Sequence, residues 1–161
     1  MFFKNHFGMV VTMIIALILS LCMATTAICI GGLPLNICMI ARSWGTCFLV
    51  IMLVSIIIPS KIWGDKLAMK CKLKPNTLKF GLVSNIIPTF VYNTAATFAL
   101  PAVNIFYNDA IPEAAQLPAY LSSVKHDYLI MFVLSYFVSL IAEKIALQVA
   151  FKNVPPITKE M

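Results

Sequence analysis

Long stretches of apolar residues dominate the pattern of this chain. They cover about residues 7–30, 44–62, 80–107 and 128–151, and the run from Val50 to Ile58 does not alternate as a barrel strand would. A hydrocarbon layer ~30 Å thick needs ~20 helical residues, and a helix satisfies its backbone hydrogen bonds without water. The pattern therefore predicts four transmembrane helices and an all-α membrane fold.

The composition leaves room for little besides these helices. The chain has 161 residues, of which 61% are hydrophobic and 11% charged, about half the charge of an average soluble domain. The longest connection, 108–127, is too short for a water-solvated core, which rarely supports itself below ~40 residues. We therefore expect residues 1–161 to form a single membrane domain.

The positive charge is concentrated between the second and third apolar stretches. Six lysines lie there, opposed only by Asp65: Lys61, Lys66, Lys70, Lys72, Lys74 and Lys79. Short connections rich in lysine stay on the cytoplasmic side, and they attract anionic lipid headgroups. The net charge of +6 is thus a topology signal. Nucleic acid is not expected as a partner, because its binding requires a solvated basic surface.

The remaining charges predict that both termini are cytoplasmic. Lys4 precedes the first stretch, and Lys152 and Lys159 follow the last. The connection 108–127 is mostly acidic, with Asp109, Glu113 and Asp127 against Lys125, as expected on the outer side. The predicted location is the cell (cytoplasmic) membrane, spanned several times. A cleaved signal peptide is the alternative for the first stretch, since Lys4 precedes an apolar core and small residues.

The second half of the chain repeats features of the first. Residues 7–10 return as 80–83 at an offset of 73, and residues 58–62 resemble 141–145 at an offset of 83. The first offset aligns two pairs of polar residues: Thr12 with Asn85, and Ser20 with Asn93. This similarity predicts two tandem helical hairpins, 5–72 and 78–152, related by a pseudo-twofold axis along the membrane normal. It also weighs against a cleaved leader, which has no reason to resemble a later span.

Two residues of the first hairpin carry a family resemblance. Trp44 opens its second helix near the outer surface, and Pro59 closes it near the basic inner end. Over about residues 5–150 the chain resembles small bacterial membrane proteins of the domain-of-unknown-function 2798 type, some of which carry the two-helix unit in tandem. The second unit departs from this pattern, with Ala142 and Tyr128 at the corresponding places. The resemblance implies a bacterial inner-membrane protein without an assigned activity.

The third stretch is the most polar. Its polar residues recur every four positions on one helical face: Asn85, Thr89, Asn93 and Thr97. In lipid, such a face points inward, where it either packs against another helix or lines a polar pathway together with Thr12 and Ser20 of the matching stretch. Pro88 lies within the polar face and predicts a kink that frees a carbonyl near residue 84, while Pro59 predicts one near the end of the second span.

Ionisable residues beside the apolar stretches are candidates for function. Glu143 and Lys144 lie within the fourth stretch, near its inner end, and Lys61 has a similar place at the end of the second. Paired interfacial anchors and a proton or ion relay both remain open. No metal site, cofactor or catalytic group is predicted, because His6 and His126 lie on opposite membrane faces and no paired carboxylates have catalytic spacing. Whether Cys38 and Cys47 form a disulfide is also open.

These observations favour a small transporter or channel-like protein. Because four packed helices fill their own centre with side chains, a pathway is expected to require a homo-oligomer. The alternative is an accessory or structural protein that binds another membrane protein through its helix faces. A membrane enzyme ranks third, since the sequence lacks reactive pairs.

Overall fold

The structure, a computed structural model, describes residues 7–32, 36–75, 77–108 and 111–152. Every regular element in these ranges is an α-helix. The helices are α1 (Phe7–Ile30), α2 (Ile37–Ile57), α3 (Ser60–Lys70), α4 (Leu78–Ser84), α5 (Ile86–Phe106) and α6 (Glu113–Lys152).

Four helical segments are long and apolar enough to cross a membrane. They are Gly8–Ile30, Ile37–Ile57, Leu78–Phe106 and Glu113–Val149. The third combines α4 and α5, and the others correspond to α1, α2 and α6. The prediction of an all-α fold with four long apolar helices is confirmed.

Helices α1, α2, α5 and α6 form a ring in which each packs against the next and α6 closes onto α1. Short connections at 31–36 and 107–112 make α1–α2 and α5–α6 antiparallel pairs. Helices α2 and α5 are also antiparallel, since Ser43 donates to Asn104 (3.1 Å) near one end and Ser55 lies 3.2 Å from the Tyr92 hydroxyl near the other. The bundle is therefore up-down-up-down, with α3 and α4 together at one end, which we call the lysine-rich end.

An apolar cluster from all four long helices fills the middle of the bundle. Its buried members are Ala16, Leu19, Met23, Cys47, Ile51, Ala96, Leu100 and Met131. The alanines allow close helix approach, and the larger side chains fill the remaining space. On the outside, large apolar side chains such as Leu49 and Leu53 are exposed, as expected where lipid is the solvent.

The second span differs from its predicted limits. Helix α2 begins at Ile37 instead of near residue 44, because Asn36 caps it by accepting a hydrogen bond from the Cys38 amide (3.2 Å). It ends at Ile57 because Ile58, which precedes Pro59, is extended. Pro59 therefore separates α2 from α3 and does not bend a continuous helix.

The prediction that residues 108–127 form a loop is wrong for most of that range. Helix α6 begins at Glu113 and continues without a break to Lys152. Ala114–Leu117 are strong helix formers, and Tyr120 packs its ring 5.5 Å from that of Phe106. The polar residues of this segment from Glu113 onward therefore belong to a helix and not to a loop.

The connection rich in lysine is also partly helical, as α3. Its buried residues Ser60, Gly64 and Ala68 recur every four positions and form a narrow face against α4. A Cβ at Gly64 would collide with the Ser84 carbonyl oxygen and lie 3.1 Å from Pro88 Cδ. Glycine thus allows α3 to lie against the backbone at the junction of α4 and α5.

Candidate functional site

A partly enclosed cavity of about 480 Å³ lies at the lysine-rich end of the bundle. All four candidate spans contribute to its wall. Apolar lining comes from Val11, Ile15, Ile51 and Ile58, and polar lining from hydroxyl and amide groups described below. On the side away from the lysine-rich end, the apolar cluster fills the bundle. The cavity is therefore a pocket that ends within the bundle and not a continuous channel.

Tyr92 organises one polar wall of the cavity. Its phenolic oxygen lies 3.2 Å from the hydroxyl of Ser55 on α2 and 3.2 Å from that of Ser60 on α3. Because Tyr92 belongs to α5, these bonds hold three helices together where Pro59 interrupts the chain. Thr12 on α1 faces the same space, and its hydroxyl donates to the Gly8 carbonyl (2.9 Å).

An ion pair lies at the edge of the cavity. Lys61 Nζ is 2.6 Å from Glu143 Oε1, which connects α3 to α6. The same ammonium is 3.7 Å from Asp65 Oδ1 and donates to the Ser84 hydroxyl (3.4 Å). The side chain of Glu143 is only 21% exposed, so its negative charge faces the protein more than the solvent. Lys144, predicted to act with Glu143, is exposed on the helix surface.

The same ion pair borders a second, more open groove of about 580 Å³ between α3, α4 and α6. Asp65, Thr77 and Lys144 line this groove. Lys61 and Glu143 line both spaces. They therefore stand at the boundary between the cavity inside the bundle and the groove at its end.

The polar face predicted for the third span is buried, and it packs against α6. Asn85 donates to the Ser139 hydroxyl (3.0 Å), and the Thr89 hydroxyl lies 3.0 Å from the same atom. Asn93 donates to the Tyr128 carbonyl (3.3 Å). Neither Asn93 Oδ1 nor Thr97 Oγ1 has a hydrogen-bond partner among the described residues.

Only two of the six residues predicted for a pathway line the cavity, Asn85 and Thr12. Ser20, which the repeat aligned with Asn93, lies outside the cavity lining and accepts a hydrogen bond from the Trp44 indole (3.0 Å). Most of the polar face thus serves helix packing, the first of the two interpretations given above, and the structure does not gather the six residues at one place.

Pro88 was expected to kink the span and to free a carbonyl near residue 84. The helix is interrupted at Asn85, which ends α4 and precedes α5. Pro88 has no N–H to donate to the Ser84 carbonyl, four residues earlier. Gly64 of α3 packs against that carbonyl, while Asn85 and Pro88 line the cavity.

Several residues of the site were missed by reading the sequence. Tyr92, Ser55 and Ser139 gave no signal of their own, since single hydroxyls are common in membrane helices. Asp127 was assigned to a loop, yet it lies within α6 and is only 6% exposed. Its carboxylate accepts from the Ser123 hydroxyl (2.8 Å), and this spacing of four residues was a helical signal in the sequence.

The described residues contain no group of three or more His, Cys, Asp or Glu side chains that could hold a metal. His126 Nδ1 lies 2.9 Å from Asp127 Oδ1. Four residues named in the sequence analysis lie outside the described residues: His6, Lys4, Asp109 and Lys159. Cys38 and Cys47 are nine residues apart on α2, about 13 Å along the axis, too far for an intrachain disulfide.

Comparisons with protein-family models, curated proteins and solved structures return no match. The function must therefore be argued from the site itself.

Proposed function

We propose that this protein is a small multi-pass transporter that holds its cargo in the cavity at the lysine-rich end. The observation that carries the proposal is the cavity itself. It is bounded by all four candidate spans and combines apolar walls with a few polar groups, which is the usual composition of a small-molecule site. A structural bundle of this size would be expected to fill that space with side chains.

The cavity ends against the apolar cluster, so cargo could enter only from the lysine-rich end in this conformation. Alternating access would then require the four helices to rearrange around the cavity and open it at the other end. The helices could bend at Pro59 and at Asn85 during such a rearrangement, because the helical structure is interrupted there.

The orientation and assembly are part of the proposal. We propose that the lysine-rich end and both termini face the cytoplasm of a bacterial cell, because lysine-rich connections stay on the cytoplasmic side. We also propose that the bundle arose from two tandem hairpins related by an axis along the membrane normal. Membership of the family of two-helix membrane proteins is a further part of the proposal. A homo-oligomer is proposed because the apolar cluster fills the middle of one bundle, between the cavity and the far end of the helices.

Filling the cavity tests the proposal. We expect Ile15→Trp, which points a large ring into the cavity wall, to abolish transport into proteoliposomes. Met13→Trp is the matched control, since Met13 is 40% exposed on the outer surface of the same helix turn. Suitable cargo probes are benzyltrimethylammonium and benzenesulfonate, whose fixed charges prevent them from crossing lipid unaided.

The expected result is saturable uptake of one of these ions by the wild type and by Met13→Trp, with Ile15→Trp reduced to the rate of empty liposomes. Equal uptake by both variants would contradict the assignment of the cavity as the cargo site. Absence of uptake in all three, together with a membrane protein that copurifies stoichiometrically, would favour the accessory role.

A further inference from the structure

Three charged side chains meet at the boundary between the cavity and the groove. Lys61 is 2.6 Å from Glu143 and 3.7 Å from Asp65, so one ammonium faces two carboxylates. The net charge of this group is −1. Of these three, Lys61 and Glu143 line the cavity, and they are the charged side chains that do so among the described residues, whereas Asp65 lines the groove together with Lys144.

Asp65 has an unused acceptor. Its Oδ1 is buried and receives no hydrogen bond from the described residues, and the ammonium of Lys61 stands just beyond hydrogen-bond distance. A shift of Lys61 by about 1 Å would give it a charge-assisted hydrogen bond of ~2.8 Å with Asp65. A buried acceptor that lacks a partner is unfavourable, so the new bond to Asp65 would offset part of the loss of the contact between Lys61 and Glu143.

From these contacts we infer that the cargo is a small organic cation, an amine or ammonium compound with an apolar body, whose charged group takes the place of Lys61 beside Glu143. The inference rests on the proposed function and names its substrate class. On binding, Lys61 moves to Asp65 and remains paired, while Glu143 exchanges one ammonium for another. No carboxylate is left without a cation at any step.

The rest of the cavity matches such a cargo. Ile15, Ile51 and Ile58 provide apolar walls for a hydrocarbon body, and the aromatic ring of Tyr92 can contribute a cation–π interaction. An anion would be bound poorly, because Lys61 is already held by two carboxylates. Guanidinium groups, the side chains that bind carboxylates most strongly, do not line the cavity among the residues the structure describes.

Three probes with one apolar body separate charge from hydrophobicity. They are phenylbutylammonium, phenylbutyrate and phenylbutanol, and their binding to the full chain is measured by calorimetry in nanodiscs of phosphatidylcholine, which lacks net charge. We expect phenylbutylammonium to bind saturably and roughly tenfold or more tightly than the other two, as a charge-assisted contact implies.

Four variants test the exchange of partners. Glu143→Gln should lose the preference for the ammonium probe, and Asp65→Asn should weaken its binding because Lys61 then has no second carboxylate. Lys61→Met should tighten binding, since Glu143 no longer has an internal partner. Lys144→Met is the matched control, an exposed lysine next to Glu143 that does not line the cavity, and should leave affinity unchanged.

The outcomes distinguish this inference from the proposed function. If the three probes bind equally and Ile15→Trp blocks them all, the cavity binds ligands but the charge assignment is overturned. If none binds saturably to the wild type, both fail. Should Glu143→Gln not fold by circular dichroism, Lys61→Met decides: tighter binding of the ammonium probe supports the inference, and unchanged or weaker binding overturns it.

Discussion

Gly64 is the residue at which α3 comes closest to the rest of the bundle. Its missing side chain leaves room for the Ser84 carbonyl, whose usual helical donor is absent because residue 88 is proline. Ser60 and Ala68, one turn away on either side, are also small and buried. Three small residues at a spacing of four therefore allow α3 to cover the interruption between α4 and α5.

Replacing this glycine should be costly. We predict that Gly64→Ala destabilises the protein by ~1–3 kcal/mol, because the added methyl group collides with backbone atoms that cannot rotate away. The measurement is thermal unfolding in a mild detergent. Gly45→Ala is the control, since a Cβ there meets nothing within 4 Å and should stabilise α2 slightly. Equal midpoints for the two variants would contradict the close packing described here.

Single residues also show why parts of the site could not be predicted. Lys61 and Glu143 are each recognisable in the sequence as ionisable residues beside apolar stretches, but they are separated by 82 positions and their pairing depends on the packing of α3 near α6. The repeat aligned Ser20 with Asn93, but it did not name their partners. Ser20 bonds to Trp44 on α2, and Asn93 bonds to the Tyr128 carbonyl on α6, in each case the following long helix of the same predicted hairpin. The sequence therefore shows which residues are ionisable or polar, but their contacts depend on how the helices pack.

At the level of elements, the interruption at Pro59 creates the cavity wall. Helix α2 ends there, α3 begins, and the Tyr92 hydroxyl joins Ser55 on one side of the break to Ser60 on the other. This connection restrains α3 although no helical hydrogen bonds run continuously through Pro59. Removing it should loosen α3 before it affects the remainder of the bundle.

Tyr92→Phe tests that role. We predict a loss of ~1 kcal/mol in stability, because the buried Ser60 hydroxyl loses its partner, and faster hydrogen exchange confined to the amides of residues 60–70. Tyr128→Phe is the control. It removes a comparable bond to Thr94 (2.9 Å) between α5 and α6, and should leave the exchange of α3 unchanged. Exchange that rises equally throughout the chain in Tyr92→Phe would argue against a local restraint.

The elements also differ in how far the sequence predicted them. The apolar stretches identified the four spans because lipid selects apolar side chains over ~20 consecutive residues. The same criterion missed α3 and the first third of α6, since helices with polar exposed faces do not form apolar stretches. Helix propensity and the four-residue spacing of Ser123 and Asp127 were the signals available there.

At the scale of the whole molecule, the cavity lies at one end of the four-helix bundle. The apolar cluster lies between the cavity and the far ends of the helices, whereas residues 58–62 at the lysine-rich end line the cavity. Sidedness, membrane insertion and access to the cavity are therefore linked, and one labelling experiment can report on all three.

The most direct measurement is the reaction of a single cysteine at position 12 with a membrane-impermeant maleimide, after the five native cysteines are replaced by alanine. Thr12 lines the cavity, and Met13→Cys, on the exposed side of the helix, is the control that lipid should protect. A chain that keeps only Cys71, exposed beside α3, marks the lysine-rich side. We predict that Thr12→Cys reacts from the same side as Cys71 and not from the other, while Met13→Cys reacts from neither. Labelling of Thr12→Cys from the opposite side, or from no side, would contradict the account.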